Sequence, residues 1–153
     1  MDEFRPLLYF LKEEINTMDV FVEHDFLSSD DLSLYDDCIE IPRTSDHIWI
    51  YEKLTKKCKV VNENIYHFQI SGFGIDISKK TGVEQWTLSL GSGFESTFKM
   101  NVIVCTSDAE LFINHGSYKV QGKRGTLFIF PSYLWWKITG NFIYTVLSGD
   151  PFR

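Results

Sequence analysis

Apolar positions change their spacing near residue 65. Before it they recur at helical intervals. Phe4, Leu7, Leu8, Leu11 and Ile15 share one stripe, with Lys12, Glu13 and Glu14 opposite, and this predicts an amphipathic helix lying on one face of a sheet. Val20-Phe21-Val22 predicts a short strand. Ser28-Ser29-Asp30-Asp31 predicts a helix start, because a serine oxygen accepts from the exposed N–H groups of the first turn and a carboxylate there complements the positive end of the dipole. Pro42 ends that region. Tyr51, Leu54, Cys58 and Val61 then form the buried stripe of a further helix, whose outer side carries Glu52, Lys53, Lys56 and Lys57.

From Tyr66 onward the helical spacing gives way to short runs of aromatic and β-branched residues. Between them stand Gly72-Phe-Gly74, Lys80-Thr-Gly82, Gly91-Ser-Gly93, His115-Gly116 and Gly122-Lys-Arg-Gly125. Turn signals at this interval predict an antiparallel sandwich or barrel. With 153 residues, 44% apolar and 16% aromatic, the chain suits one domain: a helical part over 1–64 and a β core over 65–153.

Charge narrows the function classes. The net charge is −6 and no basic run exceeds the Lys56-Lys57 and Lys79-Lys80 pairs, so nucleic acid is not an expected partner. Cys38, Cys58 and Cys105 cannot all pair and show no C-x-x-C spacing, which favours a reducing compartment. Asp2 and Glu3 replace the positive start of a secretory signal, and no apolar run approaches the ~18 residues that span a bilayer. The expectation is a cytoplasmic protein without a membrane partner.

Two strand-like stretches carry the candidate chemistry. In Glu84-Gln85-Trp86-Thr87-Leu88-Ser89-Leu90 the period of two puts Thr87 and Ser89 on one face and Trp86, Leu88 and Leu90 on the other. The second is Gly125-Thr126-Leu127-Phe128-Ile129-Phe130-Pro131-Ser132-Tyr133-Leu134-Trp135-Trp136. In order and spacing they resemble the core of the Fe(II)/2-oxoglutarate-dependent oxygenases of the prolyl-hydroxylase type, whose first strand reads Trp-His-x-Asp and whose later strand ends Pro-Ser-x-x-x-His. Asn62-Glu-Asn64, Phe68-Gln-Ile70, Gly72-Phe73, Asn101-Val-Ile-Val104 with Ser107-Asp108, Phe26-Leu27-Ser28 and the close Ser148-Gly-Asp-Pro-Phe-Arg153 extend the likeness from Val20 to Arg153. It implies a double-stranded β-helix, or jelly roll, behind N-terminal helices.

The resemblance puts Thr87 at the first His, Ser89 at the Asp and Trp136 at the distal His. It also puts Asn141 nearest the Arg or Lys that grips 2-oxoglutarate. Two hydroxyls and an indole N–H lack the imidazole and carboxylate lone pairs that hold iron, and an amide lacks the charged fork that holds a carboxylate. The expectation is therefore an inactive oxygenase-like domain with no metal and no cofactor. It would serve as a binding or structural module, in the cytoplasm or in a virion, because short members of the family are common in phages. The alternative is an active oxygenase, or another small-molecule enzyme, using other ligands.

His24, His47, His67 and His115 fall on separate elements. Asp30-Asp31 and Asp36-Asp37 lack the Gly and Glu of a calcium loop and read as a solvated helix face. Cys105, within an apolar strand, reads as a buried small hydrophobe. Trp86, Tyr133, Trp135, Trp136 and Tyr144 surround the place of the implied pocket, either as core filling it or as a groove for a partner. The uncharged last strand, Asn141 to Leu147, must be inserted between neighbours or covered by a second subunit or a partner protein. A surface built from Trp135, Phe142 or Tyr144 is the expected interface.

Overall fold

The computed structural model describes residues 20–35, 41, 44–71, 77–90 and 98–149. The helix expected over Phe4 to Ile15, Pro42, Gly72-Phe73, the Gly91–Gly93 turn and the last four residues lie outside them.

Strand β1 (Phe21–Glu23) leads into α1 (Ser29–Ser33), where the Ser28 Oγ accepts from the Asp31 N–H at 3.0 Å. Helix α2 (Ile48–Val61) buries Ile50, Tyr51, Leu54, Cys58 and Val61, the anticipated stripe together with Ile50. Asn62–Tyr66 continues it as a π-helical turn. Asn62 holds that turn: its amide donates to the Phe68 carbonyl at 2.9 Å and accepts from the Phe68 N–H at 2.8 Å. His67 closes it in the left-handed region, at φ 56°.

The remaining strands are β2 (Ser78–Lys80), β3 (Val83–Thr87), β4 (Phe98–Cys105), β5 (Ala109–Ile113), β6 (Tyr118–Gly122), β7 (Leu127–Pro131), β8 (Trp136–Thr139) and β9 (Phe142–Ser148). They form two antiparallel sheets, one in the order β1-β7-β4-β9-β2 and one in the order β3-β8-β5-β6. The protein is mostly β, and its architecture is the expected jelly roll with helices on one side.

Strand parity explains the layering. In the larger sheet Met100, Val102, Val104, Leu127, Ile129 and Ile143 face α1 and α2, whereas Ile103, Cys105, Phe128, Phe130, Phe142 and Tyr144 face the smaller sheet. Leu111, Ile113, Trp136 and Ile138 meet them from that smaller sheet. Strands β4 and β7 are thus buried on both faces along their whole length. The outer face of the smaller sheet, in contrast, carries Glu110, Lys119, Gln121 and Thr139 among others.

One glycine fixes the approach of α1 to the sheets. Gly125 has φ +96°, and a Cβ there would lie 2.1 Å from the Leu27 carbonyl oxygen. Its own carbonyl accepts from the Leu27 N–H at 3.2 Å, so the close approach is also a hydrogen bond.

Candidate functional site

Strand β3 ends at Thr87, directly opposite Trp136 of β8. The chain bends at Leu88, so the alternation expected through Leu90 stops there. The bend turns three residues inward. The Leu88 carbonyl accepts from the Trp136 Nε1–H at 3.1 Å and from the Asn101 amide at 2.9 Å. Ser89 Oγ lies 2.9 Å from the Tyr144 hydroxyl, and the Leu90 N–H donates to that same hydroxyl at 3.1 Å. The phenol in turn donates to the Asn101 Oδ1. It thereby uses its proton on Asn101 and its lone pairs on Ser89 and Leu90.

Packing closes the same space. Trp136 is 0% exposed, and its indole stacks on Tyr144 and meets Phe130 and Phe142 edge-on, with centroids 5.6 to 6.3 Å apart. Asn101, also 0% exposed, is the polar centre of this region. It was not singled out by sequence reasoning as a site residue, although an Asn in an apolar strand signals a buried partner.

The five anticipated pocket positions separate into three that meet and two that do not. Thr87, Ser89 and Trp136 come together. Asn141 does not: it sits in the exposed β8–β9 turn, where its N–H donates to Ser107 Oγ and its carbonyl accepts from the Thr106 N–H. Trp86 is also elsewhere, half-buried on the outer face of the smaller sheet, 4.9 Å from the His115 ring and beneath the Lys137 ammonium. The expected interface needs correction in two members. Phe142 and Tyr144 are buried in the protein's own core because β9 pairs with β4 on one side and β2 on the other. Trp135, at 42% exposed, does reach solvent.

Could this site hold Fe(II) and 2-oxoglutarate? Thr87 Oγ1 donates to the Ser89 carbonyl, Ser89 Oγ is engaged with Tyr144, and the Trp136 nitrogen carries a proton directed at Leu88. An Fe(II) oxygenase centre takes two imidazoles and a carboxylate with further positions open. The donor set present does not fit that requirement. Among the described residues no three His, Cys, Asp or Glu side chains lie together as a metal site. His47 approaches the Tyr35 hydroxyl at 3.3 Å and His24 the Thr126 hydroxyl at 3.3 Å, on different elements.

Among the described residues, the two cysteines are buried thiols. Burial pushes the Cys58 thiol up to about 12, and burial followed by the nearby Asp108 carboxylate does the same to Cys105.

The two sheets and the helical layer define the double-stranded β-helix seen in prolyl-hydroxylase-like 2-oxoglutarate oxygenases. The chain is similar in structure to a prolyl-4-hydroxylase from Pseudomonas putida, with a TM-score of 0.66 and 10% identity over 94% of this chain and 95% of that one. It is also similar to the viral collagen prolyl hydroxylase of Paramecium Bursaria Chlorella virus-1 in its 2OG complex, with a TM-score of 0.58 and 13% identity over 86% of this chain and 96% of that one. At such identities the likeness is one of fold. No protein-family model matches the chain, and no curated protein matches it.

Proposed function

We propose that this is an oxygenase-like domain without oxygenase chemistry, serving as a binding or structural module. The observation that carries the reading is Trp136. An indole occupies the position that the resemblance assigns to the distal imidazole, it is fully buried, and its only polar atom donates to Leu88. Around it, Ser89, Asn101 and Tyr144 are joined by hydrogen bonds to one another and to Leu88 and Leu90. Such a network stabilises the junction of the two sheets and contains neither the imidazoles nor the carboxylate of an Fe(II) oxygenase centre. The partner contact of the module then belongs on the outside, where Trp135 is exposed, rather than at Phe142 or Tyr144.

Metal and co-substrate binding tests this reading. The purified protein should carry no stoichiometric iron, and its melting temperature should not rise with Fe(II) or Mn(II) plus 2-oxoglutarate, because only a ligand of the native state stabilises it. A rise of several degrees, or 2-oxoglutarate turnover, would overturn the proposal. Light scattering after size exclusion measures self-association through the Trp135 surface, and Trp135→Ala should abolish any dimer seen.

A further inference from the structure

A second site lies away from the Trp136 network, at the end of the smaller sheet where Glu110, Gln121 and Thr139 stand side by side. A cleft of about 730 Å³ opens beside the β4–β5, β6–β7 and β8–β9 connections, within the size range of small-molecule sites. Most of the residues that line it carry polar side chains. Asp25, Asp108 and Glu110 contribute carboxylates, Lys123 an ammonium, and Thr139 and Gln121 a hydroxyl and an amide. His24 is held there by Thr126, whose hydroxyl also accepts from the Lys123 N–H at 3.0 Å. Asp25 faces the cleft from a left-handed backbone, at φ 60°.

Strand register joins this cleft to an aromatic row. Glu110 stands directly between Thr139 and Gln121 across β8, β5 and β6. Two residues further along, Phe112 stands between Lys137 and Lys119 in the same way, about 7 Å away along the strand. The Lys137 ammonium lies 5.0 Å from the Trp86 ring and 5.6 Å from the Phe112 ring, so the row reads Trp86, Lys137, Phe112, Lys119 across the sheet. His115 then links Trp86 to the exposed Trp135, with centroids 4.9 and 6.0 Å apart.

Three properties select the ligand. The carboxylates of Asp25, Asp108 and Glu110 are matched by the ammonium groups of Lys119, Lys123 and Lys137, so a polyanion or a polycation would meet as much repulsion as attraction. Donors and acceptors alternate over a short distance, as in the Gln121 amide to Glu110 contact at 3.3 Å and the Lys119 to Glu110 pair at 3.4 Å. Beside them lie flat apolar rings. A molecule that has hydroxyls around its edge and C–H groups on its faces satisfies both surfaces at once. We infer that the cleft and the adjoining aromatic row bind a neutral oligosaccharide, with sugar hydroxyls in the cleft and a sugar face against Trp86 and Trp135. The site stands whether or not the interior binds a metal.

Native affinity electrophoresis in gels containing soluble neutral polysaccharides (a β-glucan, a mannan and a xylan), with anionic alginate as the contrast, tests the assignment. At least one neutral polymer should retard the protein, and raising the salt several-fold should leave the retardation in place. Glu110→Gln, Asp108→Asn and Trp86→Ala should each weaken it about tenfold or more, a loss of about 1.4 kcal/mol. Asp108→Asn alters an exposed group and Glu110→Gln a half-buried one, each only slightly in shape, so their melting temperatures should match the parent and separate lost binding from lost folding. No retardation by any neutral polymer, retardation by alginate alone, or binding unchanged in all three variants would overturn the proposal.

Discussion

Trp136 of the smaller sheet and Tyr144 of the larger one stack with ring centroids 6.0 Å apart and planes inclined by 24°. Both also bond the same short segment, Trp136 through the Leu88 carbonyl and Tyr144 through Ser89 and the Leu90 N–H. The pair therefore ties three strands and one bend into a single unit, and its parts can be removed separately.

Tyr144→Phe keeps the ring and deletes the hydroxyl. The Leu90 N–H and the Asn101 Oδ1 then lose their partner in a buried site, at a cost of about 1–3 kcal/mol. Urea denaturation should show a lower midpoint with an unchanged slope. An unchanged midpoint would mean that the network contributes nothing to stability.

Trp136→Ala should cost about 3–5 kcal/mol, the range for emptying a large aromatic site in a core. Trp136→His should also destabilise, and by itself it should not confer iron binding, since Thr87 and Ser89 remain neutral hydroxyls. Metal analysis of the purified variant checks this.

Phe128 and Phe130 both point between the sheets and are both 0% exposed. Each Phe→Ala change should cost about 3–5 kcal/mol. A small loss for both would contradict the central place of β7.

Gly125→Ala should destabilise through the backbone rather than through lost contacts. The new methyl would meet the Leu27 carbonyl at 2.1 Å, and the left-handed conformation adds strain of about 1–3 kcal/mol. Calorimetry should show the lower melting temperature, and an unaltered one would refute the close approach.

The two buried thiols predict sensitivity to alkali. Burial raises their folded pKa values from the ordinary 9.0 to about 12, so above pH 9 the unfolded chain loses protons that the folded one retains. The stabilisation is complete below pH 9 and is lost progressively as pH rises toward 12. Cys58→Ala and Cys105→Ala should each flatten that decline in equilibrium unfolding measured from pH 8 to 11. In native protein at pH 8 both thiols should resist alkylation mapped by mass spectrometry.

Local patterns carried much of the fold. The Ser28 cap and the α2 stripe are signals within a few residues, and the apolar run ending at Cys105 marked a strand, one that proves buried on both faces. What escaped depends on particular partners rather than on spacing. The turn at Asn62–Tyr66 is held by Asn62 bonding Phe68, so an apolar spacing rule could not find it. Trp135 and Trp136 are adjacent and identical, so only pairing with β3 and β5 decides which indole is buried. Phe142 and Tyr144 suited a surface by type, and the insertion of β9 between β4 and β2 put them inside. The polar cleft draws residues from four separate stretches, between His24 and Thr139, and no short segment announces it.

The strand order also governs when the fold can form. Strand β4 is flanked by β7 and β9, both of which follow it in the chain, and β9 alone connects β4 to β2. As the chain leaves the ribosome, Phe98–Cys105 emerges with neither neighbour yet made, presenting two apolar faces to water. The larger sheet closes only after Phe142–Ser148 has been synthesised, so folding waits for release of that segment and a nascent chain stopped before it should bind chaperones rather than acquire structure.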